Sequence, residues 1–127
     1  MAGDGDGAAA GNDRVARRRS VGVTGEDLAA AWYVEQGYEV VERNWRCRHG
    51  ELDLIVRDGR TFVFCEVKSR SSLAFGSPLE AVTHTKRQRI RHLAARWLEQ
   101  APVRPSGIRF DVVAVLDGEL EVIQGAF

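Results

Sequence analysis

The stretch GELDLIVRDGRTFVFCEVKSR, from Gly50 to Arg70, restricts the possible folds more than any other part of the chain. Two runs rich in Leu, Ile, Val and Phe flank Asp58-Gly59, a dipeptide suited to the positive φ angles of a tight hairpin turn. Side chains alternate faces along a strand. Glu51, Asp53 and Ile55 therefore share one side of the first strand, and Phe62, Phe64, Glu66 and Lys68 share one side of the second. With Asp58-Gly59 as a two-residue loop, Arg57 faces Arg60, Asp53 faces Phe64 and Glu51 faces Glu66. Asp53 and Glu66 then become diagonal neighbours, within reach of a shared ion. The opposite face (Leu52, Leu54, Val56, Val63, Cys65, Val67) is apolar as well, so the hairpin is expected to be covered on both sides. Acids alternating with apolar residues ordinarily mark the wet face of a half-exposed strand. In a sheet covered on both faces a charged group needs a partner or a metal instead. Glu51, Asp53, Glu66 and Lys68 are thus the candidate site.

The rest of the chain supplies the cover. Residues 1–20 are rich in Gly, Ala and Asp, end in a run of arginines and hold almost no large apolar side chain, so a disordered tail is expected. Residues 21–127 are expected to form a single domain. Its first helix is predicted over Gly25 to Gln36, capped by Thr24 with Asp27 three residues on, stopped by Gly37, and buried through Leu28, Ala29 and Trp32. Glu26 lies in its first turn, where an acid serves either the helix dipole or the site. Tyr38 to Arg46 reads as a strand before the hairpin, and Ser71 to Pro78 as a loop. A second helix is predicted from about Leu79 to Gln100, with Val82, Ile90, Leu93, Ala94 and Trp97 as its apolar arc. Lys86 falls inside that arc, and either snorkels from the helix end or points at the site. Arg109 to Leu116 reads as a buried strand, Asp117-Gly118 as a turn and Glu119 to Ile123 as an edge strand. The order αβββαββ gives an α/β fold, a mixed sheet flanked by helices.

Charge is balanced overall, with 18 Lys+Arg against 18 Asp+Glu, but its distribution is not. Lys86, Arg87, Arg89, Arg91 and Arg96 follow one another without an acid, while the hairpin holds the acidic cluster. A basic helix beside an acidic pocket suits a polyanion held against bound cations. Cys47 and Cys65 lack the C-x-x-C spacing of a redox or zinc site and read as reduced structural thiols. His49, His84 and His92 form no ligand pattern, which argues against a zinc enzyme. No apolar run approaches membrane-spanning length and the start of the chain lacks the apolar core of a signal peptide, so a cytoplasmic protein without a membrane partner is expected.

The succession of Gly25-Glu26, Arg43-Asn44, Gly50-Glu51-Leu52-Asp53, Phe64-Cys65-Glu66-Val67-Lys68, Lys86-Arg87 and Arg109-Phe110-Asp111 resembles the PD-(D/E)xK nuclease superfamily, which has the restriction-endonuclease-like fold. Within it the chain looks like the YraN-like family of small bacterial proteins, and the resemblance spans Gly25 to Ile123. The superfamily's proline before the motif aspartate is Leu52 here, which leaves the carboxylate in place. The resemblance implies an endonuclease that hydrolyses phosphodiester bonds with Mg²⁺ or Mn²⁺. Asp53, Glu66, the Val67 carbonyl and Glu26 would hold metal, and Glu26, Asp53, Glu66 and Lys68 would be catalytic. Glu51 would be a further ligand or an arginine's partner, and Lys86, Arg87, Arg89 and Arg91 would hold phosphates. By analogy with archaeal Holliday-junction resolvases the substrate is DNA, structured or branched DNA included, and cutting a junction would call for a homodimer. The alternative is a nucleic-acid-binding module that keeps the fold without turning over.

Overall fold

The computed structural model describes residues 23–70 and 77–127. The expected tail and most of the loop before Pro78 lie outside those residues. The elements are α1 (Gly25–Glu35), β1 (Glu39–Cys47), β2 (Gly50–Asp58), β3 (Thr61–Arg70), a 3₁₀ turn (Pro78–Ala81), α2 (His84–Glu99), β4 (Gly107–Leu116) and β5 (Glu119–Ile123). The five strands form one sheet in the order β1-β2-β3-β4-β5. β3 and β4 run parallel, and the other neighbours are antiparallel. This is the mixed α/β arrangement that the sequence predicts, consistent with a restriction-endonuclease-like core.

Strand alternation divides the core between the two sheet faces. Ile55, Phe62, Phe64 and Val112 pack with Ile90, Leu93, Ala94 and Trp97 of α2. Leu54, Val56, Val63, Cys65 and Val113 pack with Ala29, Ala30 and Tyr33 of α1. Both faces of the hairpin are therefore covered, as its doubly apolar pattern requires. Leu52 departs from the pattern, since it is expected beside Leu54 but joins the α2-side cluster. The β2–β3 pairing runs only from Asp58↔Thr61 to Leu54↔Cys65. Beyond that point the Val67 amide donates to Asp53 Oδ2 at 2.9 Å, so the strict alternation need not hold at Leu52.

Four local expectations are corrected. The hairpin loop is Gly59-Arg60, with Asp58 still paired to Thr61, so Arg57 faces Phe62 and Ile55 faces Phe64. Arg60 is held in the loop by its guanidinium, which donates to the Arg104 carbonyl at 2.6 and 3.0 Å, and by its own carbonyl, which accepts from Ser106. The buried face of α1 is Ala29, Ala30 and Tyr33 rather than Leu28, Ala29 and Trp32, because the Tyr33 hydroxyl reaches in to donate to Asp111 Oδ2 at 2.6 Å. Trp32 stays half-buried, edge-on to Tyr33. Finally, α2 begins only at His84. Pro78 opens a separate 3₁₀ turn, and the Thr83 side chain caps the helix by accepting from the Lys86 amide. Val82 is buried, but it ends the turn rather than belonging to the α2 arc.

Candidate metal and phosphate site

Because the register differs from the expected one by two residues, side chains keep their faces while their partners change. Continued past Leu54↔Cys65, it brings Asp53 level with Glu66, so the two are opposed rather than diagonal. Burial, then the like charges of Glu66 and Glu26, pushes the Asp53 carboxyl up to about 7, although the Val67 amide works in the other direction.

Glu66 is the centre of charge. Its side chain is 12% exposed, and Oε2 lies 3.4 Å from Lys68 Nζ and 3.6 Å from Lys86 Nζ. Lys86 therefore points at the site, which decides between the two readings of its place on the helix. The hydrogen bond with Lys86, and after it the Glu66 charge, holds Lys68 above the ordinary lysine value. The same bond, followed by desolvation, holds Lys86 below it. A cleft of about 170 Å³ lies in front, lined by Glu51, Asp53, Glu66, Lys86, Arg89, Ile90 and Leu93. Glu51 lines this cleft and pairs with Arg46 at 3.5 Å, the second of the two roles open to it.

Glu26 arrives from the helix on the opposite sheet face. Thr24 and Asp27 form a complete capping box there, so the first turn of α1 is fixed. Gly25 lets that turn close on the sheet, for a Cβ at this position would lie 2.7 Å from Ser69 Oγ and 3.2 Å from Val115 Cγ2. Arg43 of β1 then binds Asp27 at 2.7 Å and approaches Glu26 at 3.7 Å. Sequence reasoning gave Arg43 no role. Its signal was the position next to Asn44, a residue type that tolerates the left-handed region. Asn44 has φ +54°, and β1 pairs Arg43 with Leu54 and Trp45 with Leu52, so this strained position falls level with Asp53.

The four basic residues assigned to phosphate divide. Lys86 and Arg89 face the cleft. Arg87 donates to the Val82 and Leu79 carbonyls at 2.9 and 3.4 Å and lies over the Phe127 ring. Arg91 lies over Phe110 and Phe127, which stack on each other. The two thiols are free, and burial pushes the Cys65 thiol well above its usual range, as a structural thiol requires.

Among the described residues no three His, Cys, Asp or Glu side chains form a group that could hold a metal ion. Three carboxylates line the cleft, and with Glu51 paired to Arg46 the donors left for an ion are Asp53 and Glu66. Magnesium commonly takes one or two carboxylates, leaving its other positions to water and phosphate oxygens, so Asp53 and Glu66 fit such an ion as an anchor.

Residues 25–115 match a family described as "Uncharacterised protein family UPF0102", a span that takes in every residue of this site. A UPF0102 protein of Beutenbergia cavernae is 59% identical over 97 residues, covering 76% of this chain and 82% of the relative. One from Nocardia farcinica is 56% identical over 103 residues, covering 81% of each chain. A third, from Rhodococcus jostii, is 48% identical over 118 residues, covering 89% of this chain and the whole relative. No described helix is long and apolar enough to cross a membrane.

Proposed function

The chain belongs to the UPF0102 (YraN) family, and we propose that this member is a Mg²⁺-dependent endonuclease hydrolysing phosphodiester bonds in DNA. One observation carries the reading. Two carboxylates, Asp53 and Glu66, line a cleft with Lys86 and Arg89, and Lys68 pairs with Glu66 at 3.4 Å. Hydrolysis needs an activated water, relief of charge on the phosphoryl oxygens and a stabilised leaving oxygen. Asp53 and Glu66, with the Val67 carbonyl, would hold a Mg²⁺ or Mn²⁺ ion, which would supply such polarisation and a lowered pKa for bound water. Lys68, 3.4 Å from Glu66 Oε2, would orient or deprotonate the water or stabilise developing negative charge. Glu26, 3.7 Å from Arg43, would hold a water or a second ion. Lys86 and Arg89 position the phosphate backbone, which fixes register without reading sequence.

A nucleic-acid-binding module is the second reading, and the site's own charges favour it. Glu66 is already matched by two ammonium groups without any metal. Incubation with labelled duplex, single-stranded and four-way-junction DNA, and with RNA, separates the two. The endonuclease reading expects cleavage in Mg²⁺ or Mn²⁺ that EDTA stops. Tight binding of these nucleic acids with no metal-dependent cleavage of any of them leaves the module. Cutting a four-way junction takes two sites, so that form of the activity goes with a homodimer, which sedimentation in the presence of the junction checks.

A further inference from the structure

The turn between β1 and β2 carries Arg48 and His49, and Gly50 lets it lie against α2. Gly50 has φ +142°, and a Cβ there would meet Leu93 Cδ1 at 3.3 Å and Arg89 Cδ at 3.6 Å. His49 is thereby brought edge-on to His92 of α2, their ring centroids 5.5 Å apart. Each imidazole accepts from an arginine at Nε2: Arg48 Nε donates to His49 at 3.4 Å and Arg96 Nε to His92 at 3.2 Å. The positive charge stays on the arginines, and two elements distant in sequence form one cationic unit.

Among the described residues no carboxylate lies within ion-pair distance of Arg48, Arg89 or Arg96, whereas neighbouring Arg46 is paired with Glu51. All three unpaired arginines are exposed. Exposed guanidinium groups gathered without an acid repel one another, and an anion running between them relieves that repulsion. Arg89, His92 and Arg96 follow at helical spacing on one side of α2, and Arg89 lines the carboxylate cleft, so this row of side chains starts at the cleft. At about 1.5 Å rise per residue, Arg89 and Arg96 are roughly 10 Å apart along the helix. A chain of phosphates bridges that separation and a lone phosphate does not.

We propose that Arg89, His92 and Arg96 of α2, with Arg48 and His49 of the β1–β2 turn, form a path that tracks the phosphate backbone of a nucleic acid as it leaves the carboxylate cleft. The path rests on the nucleic-acid reading above and adds to it the direction of the strand and a second element that grips it. It moves the main backbone contact from Arg87 and Arg91, which are engaged with carbonyls and the Phe110 and Phe127 rings, to Arg89 and to Arg48 and Arg96, whose contacts are with the two imidazoles of the path itself.

The test is the salt dependence of binding to a labelled duplex in EDTA, where nothing is cut. Replacing Arg48 and Arg96 together with Gln should lower the slope of log affinity against log salt by about 1.8, two phosphate contacts at about 0.9 each. Arg57→Gln, which alters an arginine paired with Glu39 at 3.0 Å, should leave the slope in place. The single variants, each expected to lose about 0.9, give the same reading should the pair fail to fold. An unchanged slope, or a wild-type chain that does not bind, overturns the path. Cleavage is read separately in Mg²⁺. A reduced slope without cleavage supports the path and overturns the endonuclease, while cleavage with an unchanged slope does the reverse.

Discussion

In the folded chain Asp53 titrates near 7, whereas an unfolded one titrates near the usual 3.8. Between those values the folded state holds a proton that the unfolded state has released, so its stability contribution is full below 3.8 and is lost as pH rises through about 7. The metal-free protein should therefore lose melting temperature across that window, and Asp53→Asn should flatten the loss. A divalent cation displaces that proton, so Mg²⁺ should raise the melting temperature more above pH 7 than below it, by mass action. Scans on either side of pH 7, with Mg²⁺ or EDTA, check both outcomes, and equal shifts would remove Asp53 from the metal site. Lys68 tests the chemistry apart from binding, since an ammonium cannot ligate a metal. Lys68→Ala should keep metal and nucleic-acid binding and slow cleavage on the order of 10²-fold or more. Wild-type rates in that variant would assign any activity to another site.

Among the elements, α2 has two working sides that alanine variants should separate. Lys86→Ala with Arg89→Ala should weaken nucleic-acid binding and flatten its salt dependence, because both face the cleft. Arg87→Ala should leave that slope alone and lower stability by about 1–3 kcal/mol, the scale for losing a charged donor to backbone carbonyls. Urea unfolding beside a salt titration distinguishes the two effects. At α1, Gly25→Ala drives a Cβ to 2.7 Å from Ser69 Oγ and should cost about 1–3 kcal/mol while displacing Glu26. Much of this was legible in the sequence. Alternation put Asp53, Glu66 and Lys68 on one face, and the two-residue error in register did no harm because an even shift preserves parity. What was not legible depended on contacts distant in sequence. The Arg104 carbonyl draws Arg60 into the loop, Asp111 draws Tyr33 inward, and the Val82 carbonyl takes Arg87 from the surface.

Across the whole molecule, Asp111 ties the ends of the fold to its middle. Fully buried, it accepts from the Tyr33 hydroxyl at 2.6 Å, from Arg109 Nε and Nη2 at 2.9 Å each, and from the Gly125 amide at 3.0 Å. Arg109 also donates to Tyr38, which joins the exit of α1 to β4. Asp111→Ala strands these donors and should cost about 3–5 kcal/mol, a large share of an ordinary domain's stability, measurable by urea unfolding. The parallel pairing of β3 with β4 has a further consequence, in time. Asp53 and Glu66 meet across a two-residue loop, but β4 can pair with β3 only after the chain has passed through α2, so Thr61 finds Gly107 late. During refolding the two acids therefore face each other before Lys86 arrives to neutralise them. A divalent cation in the refolding buffer should take the lysine's place at that barrier, raising the folding rate and leaving the unfolding rate almost unmoved. A stopped-flow chevron with and without Mg²⁺ would show whether the ion proposed for the finished cleft also helps to assemble it.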